Sequence, residues 1–310
     1  MKRKFKSISI ILFLICILVF MISNPNKTIE NVLFGVNIWM YNVFPSLFPF
    51  FILSDLLINF GFVEFLSNVL GSFMRIFGLS KTCAYVYFLS FISGSPSGAR
   101  SVVQLLNNHS ITLEEANHLI KFTHSVNPLF VLGTVGSILL GDIKLGFIIL
   151  FSIILGNSII GTIFRTKNNN TLNSNIIHKS KDKDNFIVVL SNSIYNSLDI
   201  LFLMLGIIII FLIVSSFIDI FNFNNTFSLI IKGILEMTQG VKLVSISNLS
   251  LIYKSVLITF FLSFGGFSVH MQVASVIDET KIKYKNFLIS RIVHSILSSI
   301  LVFILFNVLC

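Results

Sequence analysis

The sequence predicts an all-α, polytopic membrane protein built from two pseudo-repeats that contain broken or re-entrant helices. Three observations carry this. The chain is 55% hydrophobic and only 11% charged, far short of the polar surface that a soluble domain needs. Its apolar runs are continuous and approach the roughly 20 residues that cross a bilayer; a membrane β-barrel would instead show short alternating segments. Several runs are interrupted by Gly, Pro, Ser and Asn, and backbone unwound at membrane depth must be buried in protein or line a cavity.

The net charge of +9 reports topology before it reports a ligand, because Lys and Arg collect on the cytoplasmic side of membrane proteins. No basic helix or aromatic–basic platform lies outside the apolar runs, so nucleic acid is not an expected partner and the lipid bilayer is. Cys16, Cys83 and Cys310 are scattered without metal-type spacing, which argues against a zinc site or a disulfide framework. No Walker motif, Ser-His-Asp set, HExxH or paired-carboxylate arrangement is visible. The expectation is a protein that is not an enzyme, with no catalytic residue, metal or cofactor.

Residues 1–30 form an N-terminal membrane anchor. Met1-Lys-Arg-Lys-Phe-Lys6 precedes an apolar run from Ile8 to Ile22. A small-x-small cleavage site is missing and further spans follow, so this is read as an uncleaved first span with its N-terminus inside.

Residues 31–165 form the first membrane repeat. Pro45 and Pro49 bracket Ser46-Leu-Phe and predict a kinked or broken helix, since each removes a backbone donor. Thr82 to Ser93 gives roughly 18 Å of helix, little more than half of the hydrocarbon thickness of about 30 Å. Phe91-Ile-Ser-Gly-Ser-Pro-Ser-Gly-Ala-Arg100 then breaks it, and Ala99 to Leu106 is a second short arm. Thr112 and Glu115 fit a capping box for a helix running to about Ser125, where Asn127-Pro128 makes another break. Leu129 to Leu140 and Ile143 to Phe164 read as two more spans.

Residues 166–185 are an Asn/Ser/Lys-rich hydrophilic linker, placed in the cytoplasm by Lys167, Lys179, Lys181 and Lys183 with the adjoining Arg165. Residues 186–310 form the second membrane repeat. Phe186 to Asp199 reads as amphipathic and Ile200 to Ile218 as a span. Ile230 to Val244 holds the polar break Leu235-Glu-Met-Thr-Gln-Gly240. Ser255 to Leu262 and Phe267 to Ile277 are short arms around Phe264-Gly-Gly, and Tyr284 to Leu309 is the last span, containing Arg291 and His294.

Displacing the chain by 170 residues lays Ser93 on Ser263, Arg100 on His270, Lys121 on Arg291 and His124 on His294. Identity is low, but interrupted segments at corresponding places in two halves are the sequence signature of a transporter binding site.

The motifs Ser93-Gly-x-Pro-x-Gly-Ala99, Phe122-Thr-x-x-x-Asn-Pro-Leu-Phe130, Leu235-Glu-Met-Thr-x-Gly240 and Phe264-Gly-Gly-x-Ser-Val-His-x-Gln-Val273 resemble the YlbJ family of sporulation integral membrane proteins. That family belongs to the nucleoside-recognition (Gate) domain group, related to concentrative nucleoside transporters. The likeness runs from about Phe44 to Ser299, and the compact linker here is a departure from longer members. The resemblance implies two Gate-like repeats, a role in making the spore cortex and filling the core, and transport of a small anion, with dipicolinate the natural candidate. It places the chain in the bacterial cell membrane or the forespore membrane. Nucleosides are the class that the domain name suggests.

Candidate substrate-binding residues lie in and beside the breaks. Arg100 follows the first one, and a guanidinium can bind a carboxylate with a bidentate fork. Ser93, Gly94, Ser95, Pro96, Ser97 and Gly98 supply freed amides at the start of a new helix, a positive dipole end. The bland reading of Arg100 is a snorkelling side chain. Gly265, Gly266 and Ser268 belong to the second break. His270 is read either as a second carboxylate partner or as a hydrogen-bonded core histidine; Gln272 is the weaker candidate beside it. Asn127 ends a helix and binds either its own backbone or a ligand. Glu236, Thr238, His124 and His294 are candidates for a coupling ion or proton, against an ordinary ion pair of Glu236 with Lys232 or Lys242 and plain interhelical packing for the histidines.

A secondary transporter of a small anionic solute is therefore the leading expectation. The alternatives are a nucleoside-type transporter, and a non-transporting scaffold that assembles spore-envelope membrane partners, in either case with room for a homo-oligomer. Unwound backbone favours transport, since a scaffold has no need of it.

Overall fold

The structure is a computed structural model describing residues 2–165 and 185–309. Helices α1 (Lys2–Ser23) and α2 (Pro25–Ile38) are separated at Asn24. Pro25 takes the first turn of α2, where a missing N–H costs nothing. A π-helical turn, Trp39–Val43, leads into α3 (Phe44–Asn59). The break expected at Pro45 and Pro49 is instead one continuous helical stretch, Pro25–Asn59. The widened turn accommodates the prolines, and the Ser46 hydroxyl donates to the carbonyls of Asn42 (2.5 Å) and Val43 (3.0 Å), returning a donor where Pro45 removes one.

Next come α4 (Phe62–Leu70), a 3₁₀ segment (Gly71–Phe77), α5 (Cys83–Ser93), α6 (Ser97–Asn107) and α7 (Leu113–Leu119). The capping box is present: the Glu115 N–H donates to Thr112 Oγ1 (3.1 Å) and the Thr112 N–H to Glu115 Oε2 (2.9 Å). The other Glu115 oxygen accepts from the Ser80 N–H (2.9 Å), so the cap also ties this helix to α5's entry. α7 ends at Leu119 rather than near Ser125. The expected span Leu129 to Leu140 is a ten-residue π-helix, Phe130–Leu139, too short to cross alone. It turns back against α8 (Ile143–Ile163).

The second part begins with α9 (Phe186–Phe217), one 32-residue helix where the sequence suggests two segments. Its polar positions Ser193 and Ser197 are buried, so their spacing reports helix packing rather than a membrane surface. Asn185 caps it; the remainder of the predicted linker, 166–184, lies outside the described residues. Then follow α10 (Asn225–Leu235), α11 (Met237–Ser245), α12 (Leu251–Phe264), α13 (Gly266–Ile277) and α14 (Tyr284–Leu309).

Among the described residues, five helical stretches are long and apolar enough to cross a membrane: Pro25–Asn59, Ile143–Ile163, Phe186–Phe221, Leu251–Ile277 and Tyr284–Leu309. The protein is an all-helical, multi-pass membrane protein. α14 lies against α8 and α12, and α9 against α2 and α3. The short arms α5, α6 and α13 are buried over most of their length, and α12 over the half that leads to Gly265. Packing of α13 on α6 and α9 brings the arm after Gly265 against the arm after Pro96, and neighbouring helices shield the broken ends from lipid.

Candidate functional site

The first break is set by Gly94, whose φ of +76° is a conformation that side chains rarely adopt. The Ser95–Pro96 peptide is cis, and α6 starts at Ser97. Ser93 Oγ donates to the Leu89 carbonyl (2.9 Å) and meets Ser97 Oγ, which also donates to the Gly94 carbonyl. There is no spare room. A Cβ on Gly94 would stand 2.7 Å from Asn127 N, and one on Gly98 would stand 2.1 Å from the Thr123 carbonyl oxygen. The Gly-Ser-Pro-Ser-Gly turn is thus wedged into a second unwound segment, residues 121–127.

That segment is held by side chains from three directions. Asn127 Oδ1 accepts from the N–H groups of Leu129 (2.8 Å) and Phe130 (3.3 Å), while its Nδ2 donates to the carbonyls of Ile92 (3.3 Å) and Ser46 (3.4 Å). Arg291, wholly buried in α14, donates to the carbonyls of Lys121 (2.6 Å) and His124 (3.2 Å). Asn157 of α8 donates to the same His124 carbonyl (2.6 Å) and accepts from Arg291 (3.0 Å). The helix expected to reach Ser125 unwinds early because these groups satisfy its carbonyls from outside.

The third break is a single extended residue, Glu236 (φ −137°, ψ 111°), which caps α11. Its Oε2 accepts from the Gln239 N–H (2.7 Å) and the Thr238 hydroxyl (2.5 Å). The alternative ion pairs fall away: Lys232 binds Asp219 (2.6 Å) and Lys242 sits over the Phe34 ring (4.5 Å). The fourth break is Gly265 (φ +89°) with Gly266. A Cβ on Gly266 would stand 2.9 Å from Met237 N, and one on Gly265 would stand 3.1 Å from His124 Nε2. The fourth break therefore packs on the third, and the His124 ring joins it to the second.

Three of the four interruptions line one cavity of about 60 Å³, and the helix that follows the fourth supplies another part of its wall. Ser95 reaches it from the first, His124 and Asn127 from the second, Glu236 and Thr238 from the third. From α13 come Val269 and Gln272, one and two turns beyond Gly266. Met204 and Ile208 of α9 complete an apolar wall. Both ring nitrogens of His124 and Oε1 of Gln272 are buried without a hydrogen-bond partner.

The remaining predicted site residues lie elsewhere. Arg100 does not line the cavity; its Nη2 is ion-paired with Asp55 Oδ2 at 3.1 Å. His270 is fully engaged. Its Nε2 lies 3.1 Å from the Phe264 carbonyl and so donates, leaving Nδ1 to accept from the Tyr284 hydroxyl (2.9 Å). The expected pairing of Arg100 with His270 across a ligand is thus replaced by two separate structural contacts. His294 accepts from Arg291 at Nδ1 (2.9 Å) and donates from Nε2 to the Ile153 carbonyl (3.0 Å), away from the cavity. Ser268 is buried on α13 but is not a lining residue. The sequence reading missed Asn42 and Ser46, which also line the cavity, and Asn157. A polar residue inside an otherwise apolar span was the available signal for each.

The nucleoside-recognition Gate family model matches residues 40–202, just over half of the chain. The "Sporulation integral membrane protein YlbJ" of Bacillus subtilis (strain 168) is 31% identical over 341 residues, covering 98% of this chain and 84% of that protein. No solved structure matches. The chain belongs to the nucleoside-recognition Gate family and, within it, to the family of the YlbJ sporulation integral membrane protein.

Proposed function

We propose that this chain is a secondary transporter of a small organic anion in spore formation, with a dipicolinate-like aromatic dicarboxylate as first candidate. The observation that carries the reading is one cavity lined by three helix interruptions and by the helix that follows a fourth, two of whose lining residues, His124 and Gln272, have side-chain polar atoms without partners. Transporters place their sites at such breaks. The sporulation context comes from the name of the Bacillus relative.

Two features favour an anion. The N-terminal ends of α6 and α11 approach the cavity at Ser95 and Met237, and helix N-termini attract negative charge. The Arg291 guanidinium lies directly behind His124 and has no acidic partner among the described residues. Glu236 is the carboxylate inside the cavity. It is the candidate carrier of a coupling proton or cation, because an arriving anion would otherwise face a like charge.

A nucleoside-type solute is the second reading. Asn42, Asn127, Glu236 and Gln272 line the same cavity, and amides with a carboxylate suit a ribose and a base. Purified protein in liposomes, loaded in turn with dipicolinate and uridine, separates the two. The expected result is dipicolinate flux that falls in Gln272→Leu and Glu236→Gln. Uridine flux without dipicolinate flux would move the assignment to nucleosides. Flux of neither would overturn transport and leave a membrane scaffold.

A further inference from the structure

We propose that Arg291 is the positioning residue of this cavity: it fixes the unwound segment 121–127 so that the His124 ring faces inward as the polar contact that a solute completes. The identity of what meets the ring rests on the transport reading; how the ring is held does not.

A charged side chain within a membrane span is costly, yet Arg291 is 0% exposed in α14. Its fork spans two carbonyls of one unwound segment, those of Lys121 and His124, and is steadied by Asn157 and His294. The His124 carbonyl receives a second donor from Asn157. The residue's backbone is therefore anchored towards α8 and α14, while the residue also lines the cavity. Its ring is confined between Gly265, where a Cβ would stand 3.1 Å from Nε2, and the Phe287 ring in an edge contact at 5.4 Å.

A neutral imidazole offers one N–H donor and one acceptor. Here both go unused in a buried place, and buried polar atoms without partners are costly. On the segment's anchored side the clamp already engages the Lys121 and His124 carbonyls. The ring is what remains for a ligand, and it suits a carboxylate or an amide, either of which accepts a hydrogen bond from its N–H. A lysine at 291 would keep the charge and lose the planar fork that reaches two carbonyls together.

The test is Arg291→Lys in proteoliposomes with a dipicolinate gradient, beside His124→Phe and the double variant. The half-saturating concentration should rise about tenfold in each single variant with the maximal rate kept within about twofold, and the double variant should show no further rise. Hydrogen exchange at 121–127 should quicken while α12 is unchanged. Asn157→Ala removes one of the two donors to the His124 carbonyl without touching the charge, and should shift both readouts the same way if Arg291→Lys does not fold. Wild-type half-saturation in Arg291→Lys and Asn157→Ala, or a shift that adds to that of His124→Phe, overturns the proposal. If the unmodified protein carries no solute at all, the transport reading fails; unchanged exchange at 121–127 in Asn157→Ala would then overturn the clamp by itself.

Discussion

Arg100 Nη2 stands 3.1 Å from Asp55 Oδ2, joining α6 to α3 beside the cavity rather than inside it. Both side chains are mostly buried, at 24% and 11% exposure, so removing one partner strands the other in poorly solvated surroundings. Asp55→Asn is expected to cost on the order of 3 kcal/mol, read as a lower unfolding temperature in detergent. The Asp55→Asn/Arg100→Gln double variant should recover part of that loss. Because neither residue lines the cavity, the double variant should keep the wild-type half-saturating concentration for transport.

Gly98 and Gly206 make a matched pair for stability. A Cβ at 98 collides with the Thr123 carbonyl at 2.1 Å, whereas one at 206 meets nothing within 4 Å. Gly98→Ala should destabilise by about 1–3 kcal/mol or more. Gly206→Ala, inside helix α9, should stabilise by up to about 1 kcal/mol. Thermal unfolding of the two variants side by side checks both signs.

Glu236 has a structural duty that can be separated from any transport duty. Glu236→Ala removes the cap of α11 and should cost about 1 kcal/mol. Glu236→Gln retains an oxygen for the Gln239 N–H, so it should unfold near the wild-type temperature while losing flux. Equal stability losses in the two variants would mean that the charge, not the cap, holds α11.

Trp39 is the sole tryptophan. It is buried, donates to the Leu201 carbonyl (2.7 Å) and stacks on Phe202 at 5.5 Å. Its emission is expected to be blue-shifted in the folded protein and to move red when the π-helical turn parts from α9. A fluorescence titration with denaturant, compared with circular dichroism, checks whether that contact breaks with the rest of the fold.

The class of the protein and the places of its four helix breaks were legible in the sequence because they are written in local chemistry: long apolar runs, Gly94 to Gly98, Asn127-Pro128, Glu236, and Gly265 with Gly266. What was not legible depends on partners distant in the chain. Arg100 looked like a free anchor because its neutraliser, Asp55, lies 45 residues away. The helix after Thr112 looked longer because its carbonyls are claimed by Asn157, 33 residues on from His124, and by Arg291, 167 residues on. Phe186 to Asp199 read as amphipathic because a buried serine that bonds its own helix, as Ser197 does to the Ser193 carbonyl, leaves the same polar spacing as an exposed one. Gln272 was ranked below His270 because a fully bonded histidine and an orphaned glutamine cannot be told apart until the Tyr284 hydroxyl is in place.

The cavity's volume of about 60 Å³ is room for a few water molecules, less than a six-membered ring bearing two carboxylates occupies. Two of its lining residues are packed tightly from behind, Asn127 by Gly94 and Met237 by Gly266, so small adjustments do not enlarge it. Any solute that passes must therefore be admitted by a discrete opening and let go by another. If the chain transports as proposed, its traffic is counted in cycles, saturable and steep in temperature rather than pore-like.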